Sequence, residues 1–402
     1  MQPRTIPLAW ILLAAIGVTA LIALNRGIDL LWGVTMLLAF ATLVAVVLPG
    51  LQVRGVRIQR EKFPSVAVVG ERVPVSYRVE RRGLLPRYGI EIHDRLAGDP
   101  SFVPSAFLPS LGRNETHTFI WTPKVRGCWQ LGDVKLESRY PLGLVKASRR
   151  MAAPAHEIVV YPDFVRLHSL PVRNDAHPRF ERMISPRRGG RDEFFGVRQY
   201  VAGDETRSIH WRASARLDEL VVKEFEHQQD RQLWILLELA EGQHAGAGAS
   251  STVEAMIRIA HSVAVKAFDD GIPVGILYRV ADALQQIPAS SDRPTYERIR
   301  DALARMNTHA QLPLARWAQR LREQLPSGGT WVMFNLGGVR ERALLERVAA
   351  RRLATPLFVE FDTASFERGV PDPAGRITTH ASARGIVSTV SLGADLTDLF
   401  RP

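Results

Sequence analysis

The chain has 402 residues, and its 52 lysines and arginines against 41 aspartates and glutamates give a formal net charge of +11. This length exceeds one small domain and allows two or three. The single cysteine, Cys128, excludes an intramolecular disulfide and a cysteine-rich zinc site. A positive excess is typical of proteins that bind nucleic acid or anionic lipid, so the position of the charge decides between these partners.

Two uncharged apolar segments open the chain, at residues 7–24 and 30–48. Each is long enough to cross the hydrocarbon core of a bilayer as a helix. The alternative is a cleaved signal peptide followed by a buried helix. The first segment is long for a signal core, no Ala-x-Ala site follows it, and a second apolar segment comes at once. The pattern therefore predicts a transmembrane helical hairpin over residues 1–52.

The charges that flank these segments predict their orientation. The short connection carries Arg26 and Asp29, which nearly cancel, whereas the outer sides carry Arg4, Arg54, Arg57, Arg60 and Lys62. The positive-inside rule then places both termini in the cytoplasm. The same basic residues are expected near anionic headgroups, at on the order of 1 kcal/mol each, which accounts for part of the charge excess without nucleic acid.

Two soluble regions with different periods follow. Residues 53–161 show alternating apolar positions with turn residues about every ten positions, which is typical of an antiparallel β-sandwich. Residues 162–230 link this region to the next. From residue 231 to 402 the apolar runs QLWILLEL, IPVGILYRV, TWVMFNL and PLFVEF alternate with helical patterns at 252–270, 293–306, 313–324 and 340–352. This order predicts an α/β doubly wound domain with a mostly parallel sheet.

The search for catalytic and cofactor motifs is negative. No Walker loop, HExxH, GxSxG or GxGxxG occurs, so no cofactor is expected. Ser208, His210 and Asp204 could form a triad only if the three side chains converged, which one short extended segment does not favour. The basic run at residues 179–191 contains one aromatic residue, Phe180. It is better explained as a solvated loop than as a nucleic-acid platform.

The most distinctive stretch, which we call the signature segment, is residues 189–226, GGRDEFFGVRQYVAGDETRSIHWRASARLDELVVKEFE. It resembles bacterial domain-of-unknown-function family 58, whose members show Glu-Phe, Arg-x-Tyr, Gly-Asp-x-x-Arg-x-Ile-x-Trp, Ala-Arg and Lys-Glu-Phe in this order. With the adjacent histidine, the candidate interaction residues are Glu193, Arg198, Tyr200, Gly203, Asp204, Arg207, His210, Trp211, Arg216, Lys223 and Glu224.

The resemblance implies an α/β domain similar to a von Willebrand factor A domain at the bacterial inner membrane. It also implies operation beside AAA+ ATPases of the MoxR type and, in many members, beside transglutaminase-like membrane proteins. No enzymatic activity is established for the family. The expected partners are thus the membrane and these proteins, without nucleic acid.

A metal site is the next question, because von Willebrand A domains commonly bind Mg²⁺ through Asp-x-Ser-x-Ser after the first strand, a set of hard oxygen ligands. Here the corresponding positions are Glu238, Ala240 and Gly242, so both serines are missing. Glu241 could supply a ligand only with a different geometry. We therefore expect a degenerate ion site and no bound metal.

The signature segment itself allows two main interpretations, with a small-molecule or anion site as a further alternative. Asp204 suits a helix N-cap, Ile209 and Trp211 suit apolar anchors, and the arginines suit bidentate pairing with Asp204, Glu193 or Glu224. Residues 220–226 alternate and predict a strand that leads into the α/β sheet, with pairing beside that sheet left open. One interpretation is an internal ion-pair clasp between domains. The other is a docking surface, since Arg and Trp are typical hot-spot residues.

The sequence thus predicts a membrane-anchored cytoplasmic scaffold or adaptor with four parts: a transmembrane hairpin at 1–52, a sandwich at 53–161, a linking segment at 162–230 and a von Willebrand A-like domain at 231–402. Two alternatives stay open: an enzyme that uses Asp204 and His210, and a Mg²⁺-dependent ligand-binding protein. A buried, perturbed Asp204–His210 pair would favour the enzyme.

Overall fold

The computed structural model describes residues 4–5, 7–83, 86–96, 105–172, 193–201, 206, 209–226, 231–280, 283–308, 310–371, 375, 377–382 and 385–401. The chain forms two compact units, which divide between Asp163 and Phe164.

Two apolar helices begin the first unit, α1 at Pro7–Arg26 and α2 at Asp29–Gln52. Gly27 makes the turn between them with a φ of +62°, a conformation that glycine adopts without strain. By length and composition α2 is the one described helix that could cross a membrane, and Trp10–Arg26 is a shorter apolar helix. Large apolar side chains such as Leu24 and Leu30 are 73% and 78% exposed. An apolar helix that suits a membrane anchor is therefore present near the N-terminus.

The rest of the first unit is two β-sheets that share one core. Its strands are β1 Arg4–Thr5, β2 Val56–Lys62, β3 Val66–Val68, β4 Val73–Arg81, β5 Arg87–Leu96, β6 Ser105–Leu111, β7 Asn114–Trp121, β8 Gly127–Ser138, β9 Val145–Met151 and β10 His156–Tyr161. The three-stranded sheet has the order β2-β4-β7. The seven-stranded sheet has the path β1-β9-β8-β10-β3, with β5 on β8 and β6 on β5.

One pairing corrects the expectation of an antiparallel sandwich. Strands β10 and β3 run parallel, with Val159 opposite Val66, so the larger sheet is mixed. The chain crosses from one sheet to the other between Lys62 and Val66, and β3 therefore enters the edge beside β10 in the same direction.

Alternation along the strands explains the core of the sandwich. On β4, Val75, Tyr77 and Val79 are almost fully buried, and they pack in one cluster with Ile90, Leu136 and other side chains of the facing sheet. Each large side chain buried in this way contributes roughly 1.5–3 kcal/mol.

A buried ion pair connects the two sheets. Asp94 on β5 is fully buried and accepts hydrogen bonds from the Arg60 guanidinium of β2, at 2.8 Å from Nε, and from the Tyr77 hydroxyl of β4, at 2.9 Å. Arg60 also donates to the carbonyls of Gly132 and Pro154. Burial and the neighbouring Asp94 raise the pKa of Tyr77 above its usual value, so the phenol stays a proton donor.

The second unit contains a two-stranded sheet and a seven-stranded sheet. The strands are β11 Glu193–Gln199, β12 Val221–Glu226, β13 Leu233–Leu236, β14 Val274–Val280, β15 Ala283–Ser290, β16 Thr330–Asn335, β17 Thr355–Phe361, β18 Thr378–Ala381 and β19 Ile386–Val390. The helices are α3 Trp211–Leu217, α4 Thr252–Asp269, α5 Arg293–Arg305, α6 Leu314–Arg320, α7 Gly338–Arg351 and α8 Thr363–Arg368.

The large sheet has the order β15-β14-β13-β16-β17-β19-β18, in which only the two edge strands run antiparallel to their neighbours. Leu233 and Ile235 of β13 pack in one cluster with α4 and α5, and Trp234 and Leu236 pack in another with α6 and α7. Helices therefore cover both faces, and the continuous apolar runs of the sequence are explained.

The strand predicted at residues 220–226 is present as β12, and it does not pair beside the seven-stranded sheet. Strand β12 pairs antiparallel with β11, Arg198 opposite Val222, in a separate two-stranded sheet. The edges of the seven-stranded sheet are taken by β15 and β18, which leaves β12 to the nearer hairpin partner.

Replacing the buried carboxylate tests the connection between the sheets of the sandwich. Asp94→Asn keeps the shape but leaves the Arg60 guanidinium buried without a counter-charge. We expect the free energy of unfolding to fall by ~3–5 kcal/mol, measured by urea titration of the full-length protein in detergent micelles. The matched control is Arg78→Gln, which removes the exposed 2.5 Å pair with Glu61 and should cost ~1 kcal/mol or less. Equal losses for both variants would contradict the expectation.

Candidate functional site

The carboxyl edge of the seven-stranded sheet is the first place to look for a site. Strand β13 lies between β14 and β16. The chain first adds β14 and β15 on one side of β13 and then crosses to the other side to add β16. In open α/β sheets ligands bind in the crevice at such a point. Glu238, Ala240 and Gly242 follow β13 here, where the sequence predicts the degenerate ion site.

Glu238 is almost completely buried, and both of its oxygens accept hydrogen bonds from the chain. Its Oε1 lies 2.7 Å from an Arg279 guanidinium nitrogen and 2.9 Å from the amide nitrogen of Ala240. Its Oε2 accepts from the amide of Leu314 at 2.6 Å. The carboxylate is therefore surrounded by donors that belong to the protein.

Arg279 supplies the positive charge at this edge. Its side chain is fully buried, donates a second bond to the carbonyl of Leu312 and lies 5.4 Å above the centre of the Trp317 ring. The segment that carries Leu312 is held in turn, because the Ala310 amide donates to the carbonyl of Leu239 at 3.1 Å. A guanidinium thus neutralises Glu238 in the crevice at this edge of the sheet.

His244 extends the same network. Its Nε2 donates to the carbonyl of Glu238 at 3.1 Å, which requires Nδ1 of the neutral ring to accept from the Thr252 hydroxyl, also at 3.1 Å. Burial lowers the pKa of His244 to about 4, and Arg279 acts in the same direction. For Glu238, burial raises the pKa, although Arg279 and the two amides oppose the rise.

Asn335, at the end of the neighbouring strand β16, is a buried residue that the sequence analysis missed. Its Nδ2 donates to the carbonyl of Gly338 at 3.0 Å and to Glu360 at 2.7 Å. Its Oδ1 has no hydrogen-bond partner in the described part of the chain. Arg342 also contacts Glu360, at 3.1 Å. A polar group at the end of a buried strand is the signal by which it could have been found.

A second group of metal-ligating side chains lies in the first unit. Glu91, His93 and Glu137 bring one ligand atom each within 4.8 Å of one another. Both oxygens of Glu137, however, already accept from ammonium groups, those of Lys135 and Lys146. A cation would have to displace two lysines.

The signature segment folds as a hairpin with a short helix. Ile209 and His210 lie beside β12. The amide of His210 donates to the carbonyl of Val221 at 2.8 Å, and Ile209 forms an antiparallel bridge with Val222. Helix α3 then begins at Trp211, where the His210 ring nitrogen Nδ1 accepts from the Ala213 amide at 3.2 Å and caps the helix. Where the structure describes burial in this element, the buried side chains are Ile209, Ser214, Val221 and Val222.

Other side chains of the hairpin and its helix are exposed, and they are both apolar and basic. Trp211 is 64% exposed, and Val201, Leu217 and Leu220 are exposed as well. Arg212 and Arg216 lie in the same helix and are also exposed. We call these six residues the hairpin face: Val201, Trp211, Arg212, Arg216, Leu217 and Leu220.

Of the two predicted apolar anchors, one is buried and one is exposed. Ile209 is buried at 5% exposure, whereas Trp211 points to the surface, because α3 is short and turns Ser214, not Trp211, toward β12. Tyr200 is partly buried, and its amide donates to the carbonyl of Leu220. For Glu193, Arg198, Lys223 and Glu224 the backbone places the residues on the paired strands. Gly203, Asp204 and Arg207 lie outside the described residues, as does the basic run at 179–191.

Removing the buried cation tests the crevice. Arg279→Met leaves Glu238 buried without a counter-charge, and we expect the free energy of unfolding to fall by ~3–5 kcal/mol. The double variant Glu238→Gln/Arg279→Met should recover part of this loss, because the neutral amide needs no counter-charge and its one oxygen still accepts from the Leu314 or the Ala240 amide. Urea unfolding followed by tryptophan fluorescence measures both. A single variant as stable as the wild type would contradict the expectation.

The low pKa of His244 predicts a specific pH dependence. Between its ordinary pKa of about 6.5 and its folded value of about 4, only the unfolded chain binds the proton, so acidification through this window destabilises the fold. His244→Gln keeps a donor toward Glu238 but removes the titration. Over this window the wild type should therefore lose up to ~3 kcal/mol more stability than the variant. Parallel stability curves for the two proteins would show that His244 does not titrate in this way.

Comparison with known proteins gives one informative match. No curated protein matches the chain significantly. Among solved structures, the CARDB domain of PF1109 from Pyrococcus furiosus is 17% identical and covers 26% of this chain and 94% of its own, with a TM-score of 0.19. Spo0M from Bacillus subtilis is 12% identical over 26% of this chain and 51% of its own, with a TM-score of 0.15. Cwp6 from Clostridium difficile is 8% identical over 75% of this chain and 37% of its own, with a TM-score of 0.17. Residues 196–330 match the model of the family described as "Protein of unknown function DUF58", and the resemblance expected from the signature segment is thereby confirmed.

Proposed function

We propose that this protein is a membrane-anchored adaptor of the inner membrane that docks a protein partner on the hairpin face. The observation that carries the proposal is the exposure of Trp211, at 64%, beside the exposed Arg212 and Arg216. Tryptophan and arginine are the residue types most enriched in binding hot spots. A tryptophan that contributes nothing to the core of its own hairpin is better explained by a partner than by an internal clasp.

The anchor is the apolar helical segment at the N-terminus. We propose that α1 and α2 both span the membrane, with the termini in the cytoplasm. The exposure of their apolar side chains and the arginines that follow α2 support this topology.

The second unit supplies the platform for docking. We propose a degenerate von Willebrand A-like domain, supported by five parallel strands with helices on both faces. Because Arg279 already neutralises Glu238, binding through a bridging Mg²⁺ at this edge is disfavoured. Recognition of partners would therefore use a surface without metal, such as the hairpin face.

The proposed partner is an AAA+ ATPase of the MoxR type, as the family resemblance implies, and a transglutaminase-like membrane protein is a second candidate. Arg212 and Arg216 fit an acidic surface on the partner, and Trp211 and Leu217 fit an apolar pocket within it. The enzyme alternative gains no support, because His210 uses its Nδ1 to cap α3.

Substitution of the exposed tryptophan tests the docking role. Trp211→Ala should reduce recovery of the AAA+ ATPase at least about tenfold, as expected for a hot-spot side chain. The full-length protein is solubilised from its native membranes in mild detergent, captured by an affinity tag, and its companions are quantified by mass spectrometry.

The matched control is Val339→Ala, which truncates an apolar side chain that is 70% exposed on α7 of the same unit. Since both side chains are exposed, both variants should unfold with the wild-type midpoint. The proposal fails if no AAA+ ATPase accompanies the wild type, or if a folded Trp211→Ala variant retains it.

A further inference from the structure

An open cavity of about 920 Å³ lies in the first unit between β2 and the end of β9. Strand β2 is an edge strand of its sheet. In the described part of the chain, β1 covers the outer side of β9 only at Val145 and Lys146. The interior of the sandwich is therefore accessible from this side, and we call the opening the arginine cleft.

The floor of the arginine cleft is rigid. Arg60, whose side chain is 7% exposed, is fixed by Asp94 and by the carbonyl of Pro154. Phe63, Met151 and Pro154 add apolar surface to the lining. The ring of Phe63 packs edge-on against His156, at 5.6 Å between centroids. The floor thus combines a neutralised guanidinium with an apolar wall.

Three further arginines line the cleft without compensation. Arg57, Arg149 and Arg150 are exposed, and in the described part of the chain their side chains make no hydrogen bond or ion pair. Arg149 stands opposite the buried Leu136, which places it on the inner face of the sheet. The acid in the lining, Glu61, is already paired with Arg78 at 2.5 Å. The cleft therefore concentrates arginines that form no ion pair in the described chain, although Glu80 stands opposite Arg57 on β4.

Such a cleft suits a phosphate that carries an apolar substituent. Guanidinium groups bind phosphate in a bidentate manner, and the apolar lining accepts the carbon atoms attached to it. The cleft is also close to the anchor, because β2 begins at Val56 shortly after α2 ends at Gln52, and Val145 packs against Ala45 of α2.

We infer that the arginine cleft binds the phosphate of an anionic lipid headgroup. The inference rests on the proposed membrane anchoring and is independent of the docking of a protein partner. Lipid bound here would fix the sandwich at the membrane surface.

Titration with short-chain lipids tests the inference. The full-length protein in neutral detergent micelles is titrated with dioctanoyl phosphatidylglycerol, dioctanoyl phosphatidylcholine and inorganic phosphate, and binding is followed by calorimetry. Phosphatidylglycerol should bind saturably and at least about tenfold more tightly than either of the other two, given on the order of 1 kcal/mol for each arginine near an anionic surface. Equal affinity for both lipids would overturn the inference. Inorganic phosphate binding as tightly as phosphatidylglycerol would overturn the lipid as the source of the phosphate.

Two triple variants separate the cleft from general electrostatics. Arg57→Gln/Arg149→Gln/Arg150→Gln should weaken phosphatidylglycerol binding at least about tenfold. Arg54→Gln/Arg72→Gln/Arg139→Gln removes the same charge from exposed positions of the same unit outside the cleft, and it should change affinity less than about threefold. Equal losses would overturn the inference.

The single variant Arg149→Lys keeps the charge, disturbs the fold least and loses the guanidinium fork, so its affinity should also fall. Unchanged binding by Arg149→Lys would show that Arg149 makes no bidentate contact with the phosphate. Recovery of the AAA+ ATPase by the cleft variants, measured in parallel, distinguishes a failure of this inference from a failure of the docking proposal.

Discussion

The carboxylate of Glu238 is buried in the α/β unit, so its charge has to be neutralised there. The guanidinium of Arg279 supplies the opposite charge. The carboxylate stands at the end of β13, and the guanidinium reaches it from the neighbouring strand β14. Because Nη1 of Arg279 also donates to the carbonyl of Leu312, the segment before α6 is held at the crevice as well. The ion pair therefore determines both the electrostatics and the shape of the edge at which ligands bind in this class of fold.

The sandwich also contains a buried arginine–carboxylate pair, and there the pair connects two sheets. Arg60 and Asp94 join its two sheets, and the donors that Arg60 has left fix the carbonyls of Gly132 and Pro154. In each unit one buried arginine thus neutralises one carboxylate and positions neighbouring backbone. Buried pairs of this kind stabilise little relative to an apolar core, but removing one partner is costly, so they define a single arrangement of the chain.

The hairpin of the signature segment follows other physics. Among its described side chains few are buried, and the aromatic residue Trp211 is exposed. An element of this kind is suited to contact other molecules, and its exposed side chains are both basic and apolar. Buried and exposed arginines therefore have different roles in this protein. The buried arginines hold the interior of each unit together, whereas exposed arginines belong to the hairpin face and the arginine cleft.

Local patterns determined much of the fold from the sequence alone. The continuous apolar runs around Trp234, Ile276, Val332 and Phe358 predicted the four central strands, because a strand covered on both faces has no polar side to alternate with. The edge strands β15 and β18, and β19 next to β18, escaped prediction, since short sequences near the margin of a sheet carry weaker periodicity. The sequence also determined the apolar helices and the family signature. Only the tertiary structure decided that Arg279 neutralises Glu238, that β12 pairs with β11, and that Trp211 is exposed while Ile209 is buried. These outcomes depend on contacts between residues distant in the chain or on the direction of a side chain from a short helix, and no local period records either.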